Sequence, residues 1–384
     1  MHIPDGAGHD FVRLAQQSGT TNGGHHNRNY VLSLSERMAG FIGEDPGTRV
    51  LVRAPRPDVI PVVIRTWPDE AELLDRLADV LPHVPRCLAK TPTATVLSYV
   101  EGTPLSRLCP AGKPLEPLWI SELAQLLAST TAVRRDALPA LPPGWPSDDQ
   151  DSQGYLRTLA LLADAQIRKP SWKVYGGLFT ALGVPEDALA RLAADVPSMT
   201  RRPYSLLHGD LHRDNVIVTE HGHPRLVAVD WELATYGDPV HDLATHLVRT
   251  RYPEFQKESV IAAWAAAIEP IMPAAADGIC EDLPHYIAFE QAQSVFPDVI
   301  RAVQSLPADP SRGGMKDTLL HEVESAVLHA LQAGAEPLNL QRLPSASRVR
   351  DILCNWETPG RAHRPLPRTA IKSRMEIAEV ARIS

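Results

Sequence analysis

The chain has 384 residues, 44% of them hydrophobic and 22% charged, which is enough for a sizeable core and for two domains or lobes. A formal net charge of −8 argues against a nucleic-acid partner, because nucleic acids are bound by clustered Lys and Arg. The sequence shows no signal peptide, no apolar run of about 18 residues and no CxxC pair among its four cysteines, and so predicts a cytoplasmic protein with reduced thiols.

The first hundred residues carry short β-branched runs, separated by Gly and Pro, that are typical of strands. The predicted strands are 29–35, 48–55, 61–67 and 93–105. Among them, PDEAELLDRLADVL (68–81) predicts a helix, because acidic residues open it and leucines recur on one face. Residues 1–100 are therefore predicted to form a small β-rich N-terminal lobe.

From about residue 115 the pattern becomes helical, and no strand signal occurs until residue 205. Two short runs within 216–230 then flank a Gly- and Pro-containing turn, which predicts a hairpin. Residues 101–335 are predicted to form a larger, mostly helical lobe, and 336–384 an Arg- and Pro-rich tail. The predicted fold class is therefore α+β with two lobes.

The stretch LLHGDLHRDNVIV (206–218) concentrates polar residues between apolar flanks. Some of its side chains can ligate a transition metal, namely His208, Asp210, His212 and Asp214. GDLH also resembles the opening of a metallophosphatase motif. That motif requires an Asn-His pair downstream, and none follows in this sequence.

Phosphoryl transfer is the second chemistry that this stretch suggests. It requires a carboxylate that accepts the proton of an attacking hydroxyl, and oxygen ligands for Mg²⁺. Asp210 fits the first role, and Asn215, five residues later, fits the second. Asp230 ends the second strand of the predicted hairpin, where a buried carboxylate is costly unless it is paired or bound to metal. The hairpin register therefore groups Asp210, Asn215 and Asp230 into one candidate site.

HGDLHRDNVIV followed by AVDWELATYGDPVHDLA resembles the signature of the aminoglycoside phosphotransferase family, which are small-molecule kinases with a protein-kinase-like fold. The resemblance is specific over 204–246. It implies that Asp210 is the catalytic aspartate and that Asn215 and Asp230 bind Mg²⁺. Supporting roles are implied for His208, His212 and Asp242, and structural roles for Glu232 and Asp238.

The resemblance also makes the N-terminal lobe the nucleotide-binding lobe. NGGHHNRNYVL (22–32) is similar to the family's nucleotide loop, where glycines let the backbone approach phosphate closely. The residues implied to contact nucleotide there are Gly23, Gly24, His25, His26 and Asn27. The last three can donate to phosphate or cap the turn, and the loop at 43–47 is the alternative.

A cation on the third strand is expected to bind phosphate and to pair with a Glu on the following helix. Arg53 fits this position, with Glu70 seventeen residues later. If 61–67 is instead the third strand, Arg65 takes the role. The connector between the lobes, where backbone groups face adenine, is placed at Ser98, Tyr99 and Val100.

The resemblance implies transfer of the γ-phosphoryl group of ATP or GTP to a hydroxyl of a small molecule, with Mg²⁺. An Ala- and Pro-rich composition, typical of antibiotic-producing bacteria, favours an antibiotic as the acceptor. Acidic residues that can bind a polycationic antibiotic, or lie on solvated faces, are 147–151, Glu254, 280–286 and Glu290. The alternatives are a choline-, homoserine- or sugar-type metabolite kinase, a protein kinase and a non-catalytic nucleotide-binding pseudokinase.

Overall fold

The computed structural model describes residues 5–18, 20–22, 27–56, 62–220, 224–306 and 317–356. The strands are β1 (Thr20–Asn22), β2 (Asn27–Ser33), β3 (Arg49–Pro55), β4 (Cys87–Lys90), β5 (Thr95–Ser98), β6 (Thr103–Pro104), β7 (Ser205–Leu207), β8 (Val216–Val218), β9 (Leu226–Ala228) and β10 (Thr235–Gly237). The helices are α1 (Asp5–Ser18), α2 (Glu36–Ile42), α3 (Glu70–Leu77), α4 (Leu105–Leu108), α5 (Pro117–Thr130), α6 (Ser152–Ala163), α7 (Lys169–Ala181), α8 (Ala188–Ala194), α9 (Pro239–Thr250), α10 (Glu254–Ile268), α11 (Ile279–Gln304), α12 (Asp317–Gly334) and α13 (Ala346–Asn355). A π-helical segment, Asp164–Arg168, joins α6 to α7.

The small lobe is an antiparallel sheet in the order β1-β2-β3-β5-β4. One face of β2 and β3, with Tyr30, Leu32, Val50 and Val52, packs with residues of α1 and α2 in a core of its own. The predicted strands at 29–35 and 48–55 and the helix at 68–81 are confirmed with shorter or shifted ends. Residues 11–66 were expected to be mainly strands, but α1 and α2 also lie there, and β4 was not predicted.

The predicted strand at 61–67 is wrong over its described residues, 62–67. Arg65 donates its N–H to Gln166 Oε1 at 2.8 Å, and Gln166 Nε2 donates back to the Arg65 carbonyl at 3.2 Å. The Thr66 hydroxyl donates to Thr235 Oγ1 at 2.6 Å. The segment carries β-branched residues, as the strand prediction required. However, the backbone N–H and carbonyl of Arg65 bond to the distant side chain of Gln166 and not to a neighbouring strand.

The large lobe is mostly helical, as predicted. The predicted hairpin is confirmed as β8 and β9, with Val216 opposite Ala228, and β6 extends it on the other side. Helix α9 packs against the long helix α11, which in turn packs against α12. The predicted bilobal α+β fold is present, and no helix of the described ranges is long and apolar enough to cross a membrane.

The predicted tail begins with ordered structure. Helix α13 buries Val349, Ile352 and Leu353 against the large-lobe core, and Arg350 Nε donates to Glu324 Oε2 of α12 at 2.9 Å. Residues 346–355 of the predicted tail therefore pack on the helical lobe, because the apolar residues of this short helix cover α12. The rest of the predicted tail, 357–384, lies outside the described residues.

Candidate active site

The loop between β7 and β8 is held from below by α9. The Asp242 carboxylate accepts hydrogen bonds from the backbone N–H groups of His208 and Gly209, both at 2.9 Å. The His208 ring packs on Trp231 with centroids 4.6 Å apart, and its Nε2 lies 3.2 Å from the Val229 carbonyl. Gly209 has φ +70°, and a side chain there would collide with the Leu233 carbonyl. Because only glycine fits this turn without strain, the sequence fixes the loop shape locally.

Asp210 is ion-paired with Arg249, which lies in the last turn of α9. Asn215 Nδ2 donates to the Asp210 carbonyl at 3.0 Å and to its Oδ2 at 3.1 Å. His212 Nε2 lies 3.5 Å from Asp210 Oδ1. Burial alone would raise the pKa of the Asp210 carboxyl, but Arg249, His212 and His208 outweigh it and hold that pKa well below its usual range. Asp210 is therefore kept ionised and oriented.

Arg249 also connects Asp210 to helix α11. Its Nη2 lies 3.3 Å from Glu290 Oε2 on α11, and Glu290 Oε1 lies 3.1 Å from His241 Nε2. The Tyr155 hydroxyl lies 2.9 Å from His241 Nδ1. Burial alone would raise the pKa of Glu290, but the opposing effect of Arg249 and His241 is larger, so the pKa is lowered. We call Asp210, Arg249, Glu290 and His241 the Asp210 cluster.

Sequence reasoning missed the role of Arg249. It follows Asp242 by seven residues, which is about two helical turns, so both side chains lie on the same face of α9. That spacing was an available signal. Its pairing with Glu290, on a helix 41 residues further on, could not be seen before the packing of α9 on α11 was known.

A second cluster surrounds Asp230, which has a left-handed backbone (φ 69°) that non-glycine residues adopt mainly at strained or functional positions. Arg53 of β3 forms an ion pair with Glu70 of α3, and its Nη1 lies 3.0 Å from Asp230 Oδ1. Glu70 Oε1 also accepts the Trp231 N–H at 2.9 Å. Arg53, and not Arg65, is therefore the partner of Glu70.

Arg65 instead pairs with Glu232, at 2.7 Å from its Oε2. The same oxygen accepts a hydrogen bond from Asn27 Nδ2 at 2.9 Å. Burial and the neighbouring charge of Asp230 raise the pKa of Glu232 to about 7, although Arg65 opposes the shift. We call Arg53, Arg65, Glu70, Asp230 and Glu232 the Asp230 cluster.

Asn215 and Asp230 are brought together by the hairpin. The Val229 N–H donates to the Asn215 carbonyl at 2.9 Å, so both residues lie just beyond the same end of β8 and β9. Among the described residues, Asn215 Oδ1 and Asp230 Oδ2 accept no hydrogen bond. Carboxylate and amide oxygens are the ligands that Mg²⁺ prefers, so the pair fits this ion.

Most of the residues expected to contact the nucleotide phosphates lie outside the described residues. Gly23, Gly24, His25 and His26 lie outside the described residues. The alternative loop at 43–47 is a turn that closes α2, with the Gly47 N–H bonded to the Leu34 carbonyl at 2.8 Å.

At the connector, the Ser98 N–H is already bonded to the Arg86 carbonyl at 2.9 Å and is not free for adenine. Tyr99 and Val100 follow it half-buried, and Arg49 lies over the Tyr99 ring at 4.7 Å. The backbone of Tyr99 and Val100 therefore stays a prediction for the adenine contact, while the Ser98 N–H is excluded.

The acidic segments considered for a polycationic substrate already have partners. Asp148 pairs with Arg201 at 2.5 Å, and Asp282 lies 2.7 Å from the buried Arg202. Glu254 pairs with Lys257 at 2.6 Å on the surface. Glu290 belongs to the Asp210 cluster. These carboxylates therefore serve the fold or lie on the surface with partners of their own.

Comparison with known proteins agrees with this geometry. A sequence model described as the phosphotransferase enzyme family matches residues 20–278. No curated protein matches the chain in sequence.

Solved structures with a similar fold include an ethanolamine kinase from Plasmodium vivax, with 12% identity, 84% of this chain and 83% of that chain covered, and a TM-score of 0.50. A choline kinase from Cryptosporidium parvum has 14% identity, 88% and 95% coverage, and a TM-score of 0.50. A macrolide 2'-phosphotransferase from Brachybacterium faecium has 18% identity, 88% and 98% coverage, and a TM-score of 0.47. The family model spans well over half of the chain, and the chain belongs to the phosphotransferase enzyme family, whose aminoglycoside phosphotransferase signature it carries.

Proposed function

We propose that the protein transfers the γ-phosphoryl group of ATP or GTP to a hydroxyl of a small molecule, with Asp210 as the catalytic residue. The observation that carries this proposal is the grouping of Asp210, Asn215 and Asp230 at one end of a hairpin, with Arg53 and Glu70 facing them from the small lobe. This arrangement supplies the positioning groups that phosphoryl transfer requires.

Each of these residues has a physical task in that reaction. Asp210, held ionised, would accept a hydrogen bond from the acceptor hydroxyl and take its proton as the new P–O bond forms. Asn215 and Asp230 would hold Mg²⁺, which neutralises the charge of the phosphates. Arg53 would bind the same phosphates through its guanidinium, while Glu70 fixes its direction.

The acceptor that we propose is an antibiotic, in line with the composition of the chain, and the location that we propose is cytoplasmic. Support for the antibiotic comes from the family signature, which the chain shares with antibiotic-modifying enzymes. The occupied acidic segments do not favour a polycationic aminoglycoside, so the proposal is not restricted to that class.

The test is phosphorylation of a panel of antibiotics and metabolites with labelled ATP and GTP, followed by mass spectrometry of the acceptor. In Asp210→Ala, we expect turnover to fall about 10²- to 10⁴-fold, because a general base of this kind contributes that factor. Asp214→Ala is the matched control, since Asp214 lies in the same loop with a largely exposed side chain. Undiminished phosphotransfer by Asp210→Ala, or none by the wild type, would refute the proposal, and the second result would favour a pseudokinase.

A further inference from the structure

Residues 65–67 precede helix α3 of the small lobe, but they are bonded to the large lobe. The Thr66 hydroxyl donates to Thr235 Oγ1 of β10 at 2.6 Å, and Trp67 Nε1 donates to the Ala140 carbonyl at 3.1 Å. Thr66, Trp67 and Thr235 are all buried. The large lobe therefore fixes the position at which the chain enters α3.

Gln166 holds the first of these residues, Arg65, by both of its backbone groups. Gln166 Oε1 accepts the Arg65 N–H at 2.8 Å, and Gln166 Nε2 donates to the Arg65 carbonyl at 3.2 Å. Gln166 lies in the π-helical segment Asp164–Arg168, and such segments are frequent at functional sites. Because the Arg65 backbone is held at two points, the starting point of its side chain is fixed relative to the large lobe.

The Arg65 side chain reaches residues that neighbour the expected nucleotide contacts. Its Nη2 lies 2.7 Å from Glu232 Oε2, and the same oxygen accepts a hydrogen bond from Asn27 Nδ2 at 2.9 Å. Glu232 follows Asp230, a proposed Mg²⁺ ligand, by two residues. Asn27 directly follows residues 23–26, which are expected to contact the phosphates. One carboxylate oxygen therefore joins the beginning of β2 to the segment that follows Asp230.

We propose that Gln166 is a positioning residue for the nucleotide, and that it acts through Arg65 and Glu232 without touching the nucleotide itself. This inference rests on the proposed function and adds to it a residue of the large lobe. The Gln166 amide holds Arg65, Arg65 holds Glu232, and Glu232 holds Asn27 beside the phosphate-binding residues. Groups that are held in place before a ligand arrives lose less entropy when it binds. Loss of the amide should therefore weaken nucleotide binding and leave acceptor binding unchanged.

The first experiment measures nucleotide binding without turnover. Non-hydrolysable analogues of ATP and GTP are titrated with Mg²⁺ into the wild type and Gln166→Ala by calorimetry. We expect Kd to rise about tenfold in the variant, because two hydrogen bonds that position Arg65 are lost. The matched control is Gln153→Ala, since Gln153 is also half-buried but bonds within the large lobe, to the Val196 carbonyl at 3.1 Å. This control should leave Kd unchanged.

The second experiment tests whether Gln166 acts through the Arg65 side chain. Arg65→Met keeps the backbone bonds to Gln166 but removes the guanidinium group from Glu232, so it should raise Kd by about the same factor. Adding Gln166→Ala to Arg65→Met should then have no further effect, because residues that act as one unit are not additive. A merely structural role would instead give the full loss in both backgrounds. Arg65→Met also keeps the inference testable if Gln166→Ala does not fold.

An unchanged Kd in Gln166→Ala or in Arg65→Met would overturn the inference, and so would a loss that Gln166→Ala still causes in the Arg65→Met background. In turnover assays, KM for the nucleotide should rise in Gln166→Ala while KM for the acceptor stays unchanged, and equal rises would contradict the inference. Nucleotide binding that depends on Gln166, with no acceptor phosphorylated, would support the inference and refute the proposed function. A wild type that binds neither analogue would refute both.

Discussion

The Asp230 cluster and the Asp210 cluster are both built from carboxylates and arginines, but the pKa values of their carboxyl groups shift in opposite directions. In the Asp230 cluster three carboxylates share two guanidinium groups, and burial raises the pKa of Glu70 and of Glu232. In the Asp210 cluster the pKa values of Asp210 and Glu290 are lowered, because Arg249 touches both. Each cluster has one carboxylate more than it has guanidinium groups, but only in the Asp210 cluster do the neighbouring cations outweigh burial and keep the carboxylates ionised.

This difference indicates what each cluster can receive. Carboxyl groups whose pKa values are raised have too little positive charge around them, which suits the divalent cation that we propose for Asn215 and Asp230. The Asp210 cluster instead keeps its carboxylates ionised, which suits the proton-accepting role that we propose for Asp210. Four tests break or sharpen this contrast.

Removing the charge of Asp230 should have the largest effect. In Asp230→Asn, we expect kcat to fall about 10³-fold, since loss of a metal ligand removes several kcal/mol of charge stabilisation in the transition state. The Mg²⁺ concentration needed for half-maximal activity should also rise, which is measured by titrating activity with Mg²⁺. Asp214→Asn is the control of equal charge change. An unaltered Mg²⁺ dependence would remove Asp230 from the metal site.

Replacing Arg249 should affect activity and stability together. Arg249→Gln leaves two carboxylates without their cation, so we expect a loss of about 2 kcal/mol in unfolding free energy at pH 7. Asp210 would also lose the charge that lowers its pKa, so the acid limb of kcat/KM should move upward to between about pH 4 and 6.

The readouts are denaturant unfolding and a pH–rate profile, with Arg251→Gln as the control. In the wild type the stabilisation from ionised Asp210 is present above about pH 4 and declines only as pH falls toward its lowered pKa. An unshifted acid limb in the Arg249 variant would mean that Arg249 does not set the pKa of Asp210.

Glu232 should give the opposite pH dependence. Its pKa in the folded protein is raised to about 7, so folding favours the protonated form, and stability should decline as pH rises from about 4.5 through 7. Glu232→Gln resembles the protonated form, and we expect it to gain about 2 kcal/mol at pH 8 without Mg²⁺ and to change little at pH 4.5. The measurement is the unfolding free energy of the wild type and of Glu232→Gln between pH 4.5 and pH 8, obtained by thermal or denaturant unfolding. Equal wild-type stability at both pH values would show that Glu232 is ionised throughout.

The smallest effect is expected at the acidic segment far from both clusters. Asp148→Asn breaks an exposed ion pair with Arg201, and solvent screens such a pair so that it contributes little to stability. We expect unfolding free energy and all acceptor constants to stay within error. A selective rise in KM for cationic acceptors would instead make this segment part of the acceptor site.

Local patterns predicted much of this molecule. The hairpin and the residues Asp210, Asn215 and Asp230 lie close together in sequence, so turn and strand signals were enough to group them. The pair of Arg53 and Glu70 was one of two alternatives that the resemblance implied, and the structure decides between Arg53 and Arg65. Their chemical roles remain predictions.

The features that could not be predicted from the sequence depend on contacts between residues far apart in the chain. Residues 61–67 look like a strand because β-branched residues look alike in any extended segment, while Gln166, which holds Arg65, is 101 positions away. Likewise, Glu290 was read as an acidic surface candidate, and only the packing of α9 on α11 makes it a buried partner of Arg249. Pairing across large sequence separations leaves no local signature.

Asp242 holds the loop that carries Asp210 through backbone N–H groups and not through side chains of that loop. The reactive geometry is thus assembled before any ligand arrives, and binding spends little entropy on ordering it. Arg249 lies on the same helix, seven residues after Asp242, so α9 both holds the backbone of this loop and supplies the cation that pairs with Asp210. A single helix therefore fixes both the shape of the loop and the charge of its carboxylate, and any change that displaces α9 alters the two together.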